Sequence, residues 1–239
     1  MKRTSLFILC MVTIFFSACE KERITGEGPI VTEKRNPGNF SGIDSRISAD
    51  VYYTPSASYG VEIQAQQNIL NILETYTANG NLVIRFKNDV RVRSHDRITV
   101  NVSAPSLNNL RLSGSGNLTA AGPIASSDMD IDVSGSGSMT LQKLTTIGSI
   151  HATLSGSGSI TVAEGSATEL RTKISGSGNI DLRNVPVQKA TTNTTGSGDT
   201  WVNVRESLDV TITGSGSVYY KGSPIINTHI SGSGKVLHQ

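Results

Sequence analysis

Leu112-Ser113-Gly114-Ser115-Gly116-Asn117-Leu118 is the stretch that decides the fold, because six more copies of its [Ser/Thr]-Gly-Ser-Gly centre follow it. The copies begin at Ser134, Ser155, Ser175, Thr195, Thr213 and Ser231, at successive spacings of 21, 21, 20, 20, 18 and 18 residues. A heptad cannot give that period and a propeller blade needs about 40 residues or more, whereas one coil of a narrow β-solenoid fits it.

Aligning the copies on their turns exposes a core. Two residues before the first glycine stand Leu112, Val133, Leu154, Ile174, Thr194, Ile212 and Ile230; two residues after the second stand Leu118, Met139, Ile160, Ile180, Thr200, Val218 and Val236. Two positions further on, Ala120, Leu141, Val162, Leu182, Val202 and Tyr220 continue the second column until His238 ends it. Apolar residues at period two on both sides of a fixed turn predict two strands per coil with their inner faces on one core. Thr194 and Thr200 place hydroxyls in both columns at coil five, which predicts a local polar ladder or a weak rung.

Stacked coils repeat about every 4.8 Å, so the corner must recur without clashing, and only small residues permit that. Glycine supplies positive φ, and serine hydroxyls can bond to neighbouring turns. Gly114, Gly116, Gly135, Gly137, Gly156, Gly158, Gly176, Gly178, Gly196, Gly198, Gly214, Gly216, Gly232 and Gly234 are therefore read as structural turns. A phosphate-binding loop is the competing reading of any single copy, but no Lys-Ser/Thr follows. A right-handed parallel β-helix is expected, since left-handed ones usually keep a strict hexapeptide period and parallel crossovers prefer the right hand.

Upstream, Lys2 and Arg3 precede the apolar run Leu6 to Phe16, which meets Ser17 and Ala18: a signal peptide over residues 1–18. Phe16-Ser17-Ala18-Cys19 resembles the lipobox of bacterial lipoproteins, which implies diacylation of Cys19 and anchoring in a membrane. Two acyl chains make a stable anchor at about 0.8 kcal/mol per buried methylene. Glu20, in place of the aspartate that retains lipoproteins in the inner membrane, favours the outer membrane, with the protein facing the periplasm or the cell surface. The other cysteine, Cys10, lies in the run to be removed, so no disulfide framework is expected.

Removing Lys2 and Arg3 from the 21 basic residues brings them level with the 19 acidic ones, which argues against nucleic acid as a partner. Arg91, Arg93 and Arg97 form one basic cluster, but with Asp89 and Asp96 among them they read as a solvated mixed-charge strand. After the signal, residues 19–30 read as a tether, 31–105 as a β-rich N-terminal cap with the first coils, and 106–239 as a seven-turn repeat. In the cap, Val51-Tyr52-Tyr53, Val61-Glu62-Ile63, Leu82 to Phe86 and Ile98 to Val102 read as strands, Asn79-Gly80-Asn81 as a tight turn, and Gln66 to Glu74 as two helical turns. The cap is expected to close the N-terminal end. The other end, at Gln239, is left to its own polar residues, a partner or a second copy.

From Phe40 onward the chain resembles the head-GIN-domain family, auto-transporter adhesins common among bacterial envelope lipoproteins. The resemblance is carried by Phe40-Ser41-Gly42-Ile43, Asn79-Gly80-Asn81-Leu82-Val83-Ile84, Val102-Ser103-Ala104-Pro105-Ser106-Leu107 and the Ser-Gly-Ser-Gly series. It implies a β-helix and an adhesin-like role, with no catalytic residues to carry over.

The residues themselves supply little chemistry. His95, His151, His229 and His238 are dispersed, so neither a metal site nor a cofactor is implied. Asp128, Asp130 and Asp132 alternate along one strand and could face Ca²⁺ together; a solvated outer face is the alternative. The outward position after each corner reads Thr119, Thr140, Thr161, Asp181, Trp201, Tyr219 and Leu237. Its change from polar to aromatic marks Trp201, Tyr219 and Leu237 as a candidate surface contact, for a glycan, an envelope protein or a homodimer through the C-terminal end. Ordinary aromatic packing is the alternative there. A non-catalytic adhesin or scaffold is the reading that follows; the alternative is a β-helix carbohydrate-active enzyme, a polysaccharide lyase or hydrolase, which would need paired carboxylates in a groove.

Overall fold

The structure, a computed structural model, describes residues 22–239. The expected signal peptide and Cys19 lie outside the described residues. Nine strands and one helical turn precede the repeat: β1 (Glu22–Thr25), β2 (Ile30–Arg35), β3 (Gly42–Ser45), β4 (Asp50–Pro55), β5 (Gly60–Gln66), α1 (Gln67–Leu70), β6 (Leu73–Ala78), β7 (Asn81–Phe86), β8 (Val90–Ser94) and β9 (Thr99–Ala104). The repeat adds β10 (Asn109–Gly114), β11 (Asn117–Ser126), β12 (Met129–Gly135), β13 (Ser138–Thr146), β14 (Ser149–Gly156) and β15 (Ser159–Ser166). It ends with β16 (Glu169–Gly176), β17 (Asn179–Gly196), β18 (Thr200–Gly214), β19 (Ser217–Lys221), β20 (Ile225–Gly232) and β21 (Lys235–His238).

Each strand of the repeat pairs in parallel with its equivalent one coil on. Leu112 lies beside Val133, Val133 beside Leu154 and Leu154 beside Ile174, and the series continues through Thr194 and Ile212 to Ile230. The corner glycines follow the same register from Gly114 to Gly232, giving a β-solenoid of about six turns. Both sequence-read columns are buried through coil six and lose cover only in the last coil. Period-two burial breaks after Ala120, where the ladder shifts register before Pro123 and Ile124 returns to the core. The same break falls between Asp181 and Pro186. Each coil thus has a third, short side that the two-strand reading lacks.

The N-terminal end is closed by antiparallel strands. In space β7 and β9 form a level outside β3 and β4, which in turn stack on β10 and β11. The free edge of β9 takes β5 antiparallel, β5 takes β2, and β6 pairs antiparallel with β7. Turning the edge this way covers β7 and β9 with antiparallel strands instead of a further parallel coil.

Asn79 and Gly80, both at positive φ, make the tight β6–β7 hairpin. The expected two-turn helix is a single turn, because Leu73 begins β6 instead. Four residues of helix are marginal alone, whereas β6 gains a full antiparallel ladder against β7. Within residues 19–30, Glu22–Thr25 forms β1, which pairs in parallel with β8 as a separate two-stranded sheet.

Candidate contact surface at the C-terminal end

The two glycines of each corner answer to different constraints. The first, from Gly114 to Gly232, has φ between 108° and 132°, a region that side chains rarely adopt. The second has ordinary φ, but a Cβ on Gly158 would be driven into the carbonyl oxygen of Gly137 one coil below. Backbone donors hold the stack: Ser136 N–H and Gly137 N–H both donate to the Gly114 carbonyl at 3.0 Å, and the pattern recurs to Ser233 and Gly234 on Gly214. The corner serines expected to do this with their hydroxyls are exposed. Nothing at the corner gathers catalytic chemistry.

Trp201 and Tyr219 are register partners on β18 and β19, and Tyr219 partners Leu237 on β21. Their rings stack with centroids 5.1 Å apart and planes 8° from parallel. On the other side of Trp201, one coil back, the Arg183 guanidinium lies 5.0 Å from the ring centroid, and Arg183 Nε donates to both Asp181 carboxylate oxygens at 2.9 and 3.0 Å. Both faces of the indole are therefore covered and its edge is what meets solvent. The candidate contact residues Trp201, Tyr219 and Leu237 form a self-stacked column, running Arg183, Trp201, Tyr219, Leu237 along the solenoid.

Beyond this column the last coil loses its cover. Ile225 is 82% exposed, Ile230 40% and Leu237 39%. No strand among the described residues pairs with the outer edge of β20 or β21. His238 packs edge-on against Tyr220 with centroids 5.1 Å apart, and Gln239 N–H donates to the Tyr220 carbonyl at 2.9 Å.

The Asp128, Asp130 and Asp132 strand faces neighbours on the next coil. Asp128 Oδ1 accepts from the Ser149 N–H and hydroxyl, each at 2.8 Å, and the backbone bond above all holds this carboxyl below the usual aspartate range. Asp130 Oδ1 lies 3.2 Å from His151 Nδ1, while Arg171 Nη1 lies 3.2 Å from His151 Nε2. Arginine can only donate, so in the Arg171 contact His151 Nε2 is the acceptor, and Nδ1 is the nitrogen that faces Asp130 as donor. The result is an Asp130–His151–Arg171 ladder across three coils. Among the described residues, no three His, Cys, Asp or Glu side chains gather in a metal-binding arrangement.

The basic cluster divides. Arg97 pairs with the buried Asp50, whose other oxygen accepts from Asn117 Nδ2 at 2.7 Å. Arg91 and Arg93 are exposed and form no ion pair among the described residues, with Asp89 and Asp96 also exposed nearby.

These features define the class: an all-β solenoid, capped at one end by antiparallel strands, with its core columns buried through coil six. The chain belongs to the family described as "Putative auto-transporter adhesin, head GIN domain", whose model matches residues 39–224. No curated protein matches it. The fold is shared with a crystal structure named "putative adhesin" from Bacteroides fragilis, at 24% identity and TM-score 0.80, covering 90% of this chain and all of that one. A second "putative adhesin", from Parabacteroides merdae, is 23% identical with TM-score 0.74, covering 91% and 99%. A "putative lipid binding protein" from Parabacteroides distasonis is 28% identical with TM-score 0.70, covering 91% and 100%. No helix among the described residues is long and apolar enough to cross a membrane.

Proposed function

We propose that this protein is an exported, lipid-anchored, non-catalytic scaffold of the bacterial outer membrane that meets its partner at the C-terminal end of the solenoid. One observation carries the reading: the Trp201–Tyr219–Leu237 column and the exposed Ile225 and Ile230 concentrate apolar surface at the end opposite the N-terminal cap. Exposed apolar patches of this kind mark contact sites. Cys19, three residues before β1 in sequence, supplies the anchor, and six register steps of about 4.8 Å separate the first corner from the last by roughly 29 Å. Asp128 bonds to Ser149 and Asp130 to His151 on the next coil, ties that give both carboxylates a part in the stacking of the outer wall and support the non-catalytic reading over a lyase or hydrolase.

The partner is better a protein surface than a sugar. Stacking on a sugar ring needs an open aromatic face, and those of Trp201 are occupied by Arg183 and Tyr219. Ring edges beside unpaired strand edges suit an envelope protein or a second copy, either by side-chain packing or by strand addition. The relative named for lipid binding adds an apolar ligand to the candidates, and with the core columns filled it would meet the same exposed end.

The test is sedimentation velocity and glycan-array binding of the chain and of a Trp201→Ala/Tyr219→Ala variant. Self-association that the double variant loses supports the reading. Unchanged association together with unchanged glycan binding would sink it.

A further inference from the structure

The β1–β8 sheet stands apart from the solenoid ladder. Ile24 of β1 and Val90 and Val92 of β8 pack toward the core, while Arg23, Arg91 and Arg93 are exposed. Arg23 and Arg91 are direct register partners, and Arg93 lies two residues further along β8, where the register shifts. Like charges placed opposite one another on paired strands are destabilising. Elsewhere in the cap the arginines are matched with acids: Arg35 with Glu33, Arg46 with Asp44, Arg85 with Glu74 and Arg97 with Asp50. Arg23, Arg91 and Arg93 form no such pair among the described residues. Beside them a groove of about 540 Å³ has Arg46, Arg91, Arg93 and His95 among its lining, with Ile47, Phe86, Val90 and Val92 forming its apolar part.

We infer that this face lies on anionic phospholipid headgroups of the membrane that holds the chain's own anchor. The inference rests on the lipid-anchor reading, for it is covalent reach that selects a membrane from among anionic partners. Only three peptide units separate Cys19 from Glu22, the first residue of β1, so the sheet cannot stand more than about 10 Å from the acylated cysteine. That is comparable with the screening length of about 8 Å at physiological ionic strength. Arginine's planar fork matches the oxygens of a phosphodiester, and the groove offers room for one headgroup. Contact here turns the β1–β8 face toward the bilayer, so the membrane is met by a rigid sheet rather than by a slack tether.

The experiment uses the chain from Glu20 onward, which lacks the acylation site and keeps every described residue. It is mixed with phosphatidylcholine vesicles, with and without phosphatidylglycerol, and pelleted. At about 1 kcal/mol per arginine near an anionic surface, three arginines predict partitioning on the order of a hundredfold stronger into the anionic vesicles. The preference should fall steeply with added salt and vanish in an Arg23→Glu/Arg91→Glu/Arg93→Glu variant whose circular dichroism is unchanged. Equal binding to both kinds of vesicle overturns the inference, and so does a triple variant that binds as well as the parent. Abolition of binding by inorganic phosphate at the same phosphate concentration also overturns it, since that marks a free-anion site. Metabolic palmitate labelling of the full chain and its Cys19→Ser variant tests the anchor independently, so failure of the anchor and failure of the basic face are told apart.

Discussion

Thr172 and Thr192 lie one above the other inside the solenoid, register partners on successive coils, and neither hydroxyl meets a hydrogen-bond partner among the described residues. Thr194 and Thr200, on the same coil as Thr192, are buried in the same condition. The polar rung expected at coil five is therefore wider than the two core columns indicated, and its hydroxyls form no ladder among themselves. Burying an unpaired hydroxyl costs about 1–3 kcal/mol, and valine has nearly the same shape. Thr192→Val is expected to raise stability by about 1 kcal/mol, and adding Thr172→Val to raise it further. Urea midpoints measure this; a midpoint that falls on either substitution would mean that the hydroxyls are paired in solution.

The corner glycines predict a graded series. Gly156→Ala meets two obstacles, a φ of 118° and the carbonyl of Gly135; Gly158→Ala has ordinary φ and meets the carbonyl of Gly137 and, less closely, the Val133 side chain; Gly38→Ala has a φ of 84° but open space around it. The expected order of destabilisation is Gly156, then Gly158, then Gly38, with Gly38→Ala costing about 1 kcal/mol and the corner substitutions more. Stacked coils touch only their neighbours, so damage at Gly156 should divide the solenoid into two separately melting parts. Thermal midpoints give the order, and hydrogen exchange on either side of coil three shows the division. A Gly158→Ala protein as stable as the parent would mean that the stack relaxes around the added methyl.

The repeat was legible because one constraint, a tight corner that must recur at every rung, wrote the same glycines seven times. The cap was less so. Nothing local to Gly42–Ser45 or Asp50–Pro55 announces that β7 and β9, later in sequence, stack outside them; that order comes from long-range pairing. Leu73 fell on the wrong side of the helix boundary for the same reason, since the partner that makes it a strand lies across the hairpin. At the candidate site, spacing placed Trp201 and Tyr219 in one column. It did not reveal Arg183, which is two residues from the column and joins it by way of Asp181. Trp201 and Tyr219, on adjacent rungs, stack with their planes 8° from parallel, and this consumes the faces that a sugar would need.

Asp50 ties the cap to the first coil of the repeat and makes that junction sensitive to acid. Burial alone would raise its pKa, but the Asn117 amide and the Arg97 guanidinium outweigh burial and hold the carboxyl below the ordinary aspartate range. A group whose folded pKa is depressed contributes stability that is complete above its unfolded pKa, about 3.9, and is lost as pH falls through the folded value. The junction should therefore weaken below about pH 4 and be indifferent between pH 6 and 8 as far as Asp50 is concerned. Asp50→Asn should cost about 1–2 kcal/mol at neutral pH, a modest figure because Arg97 is largely exposed. It should also flatten part of the acid limb of stability against pH. Asp128, lowered by its bonds from Ser149, acts in the same direction, so some acid sensitivity persists in the single variant. Denaturant midpoints from pH 7 down to pH 3 for the parent and Asp50→Asn measure the difference. Parallel curves would mean that Asp50 titrates alike in the folded and unfolded chain, and that its bonds to Asn117 and Arg97 do not favour the ionised form.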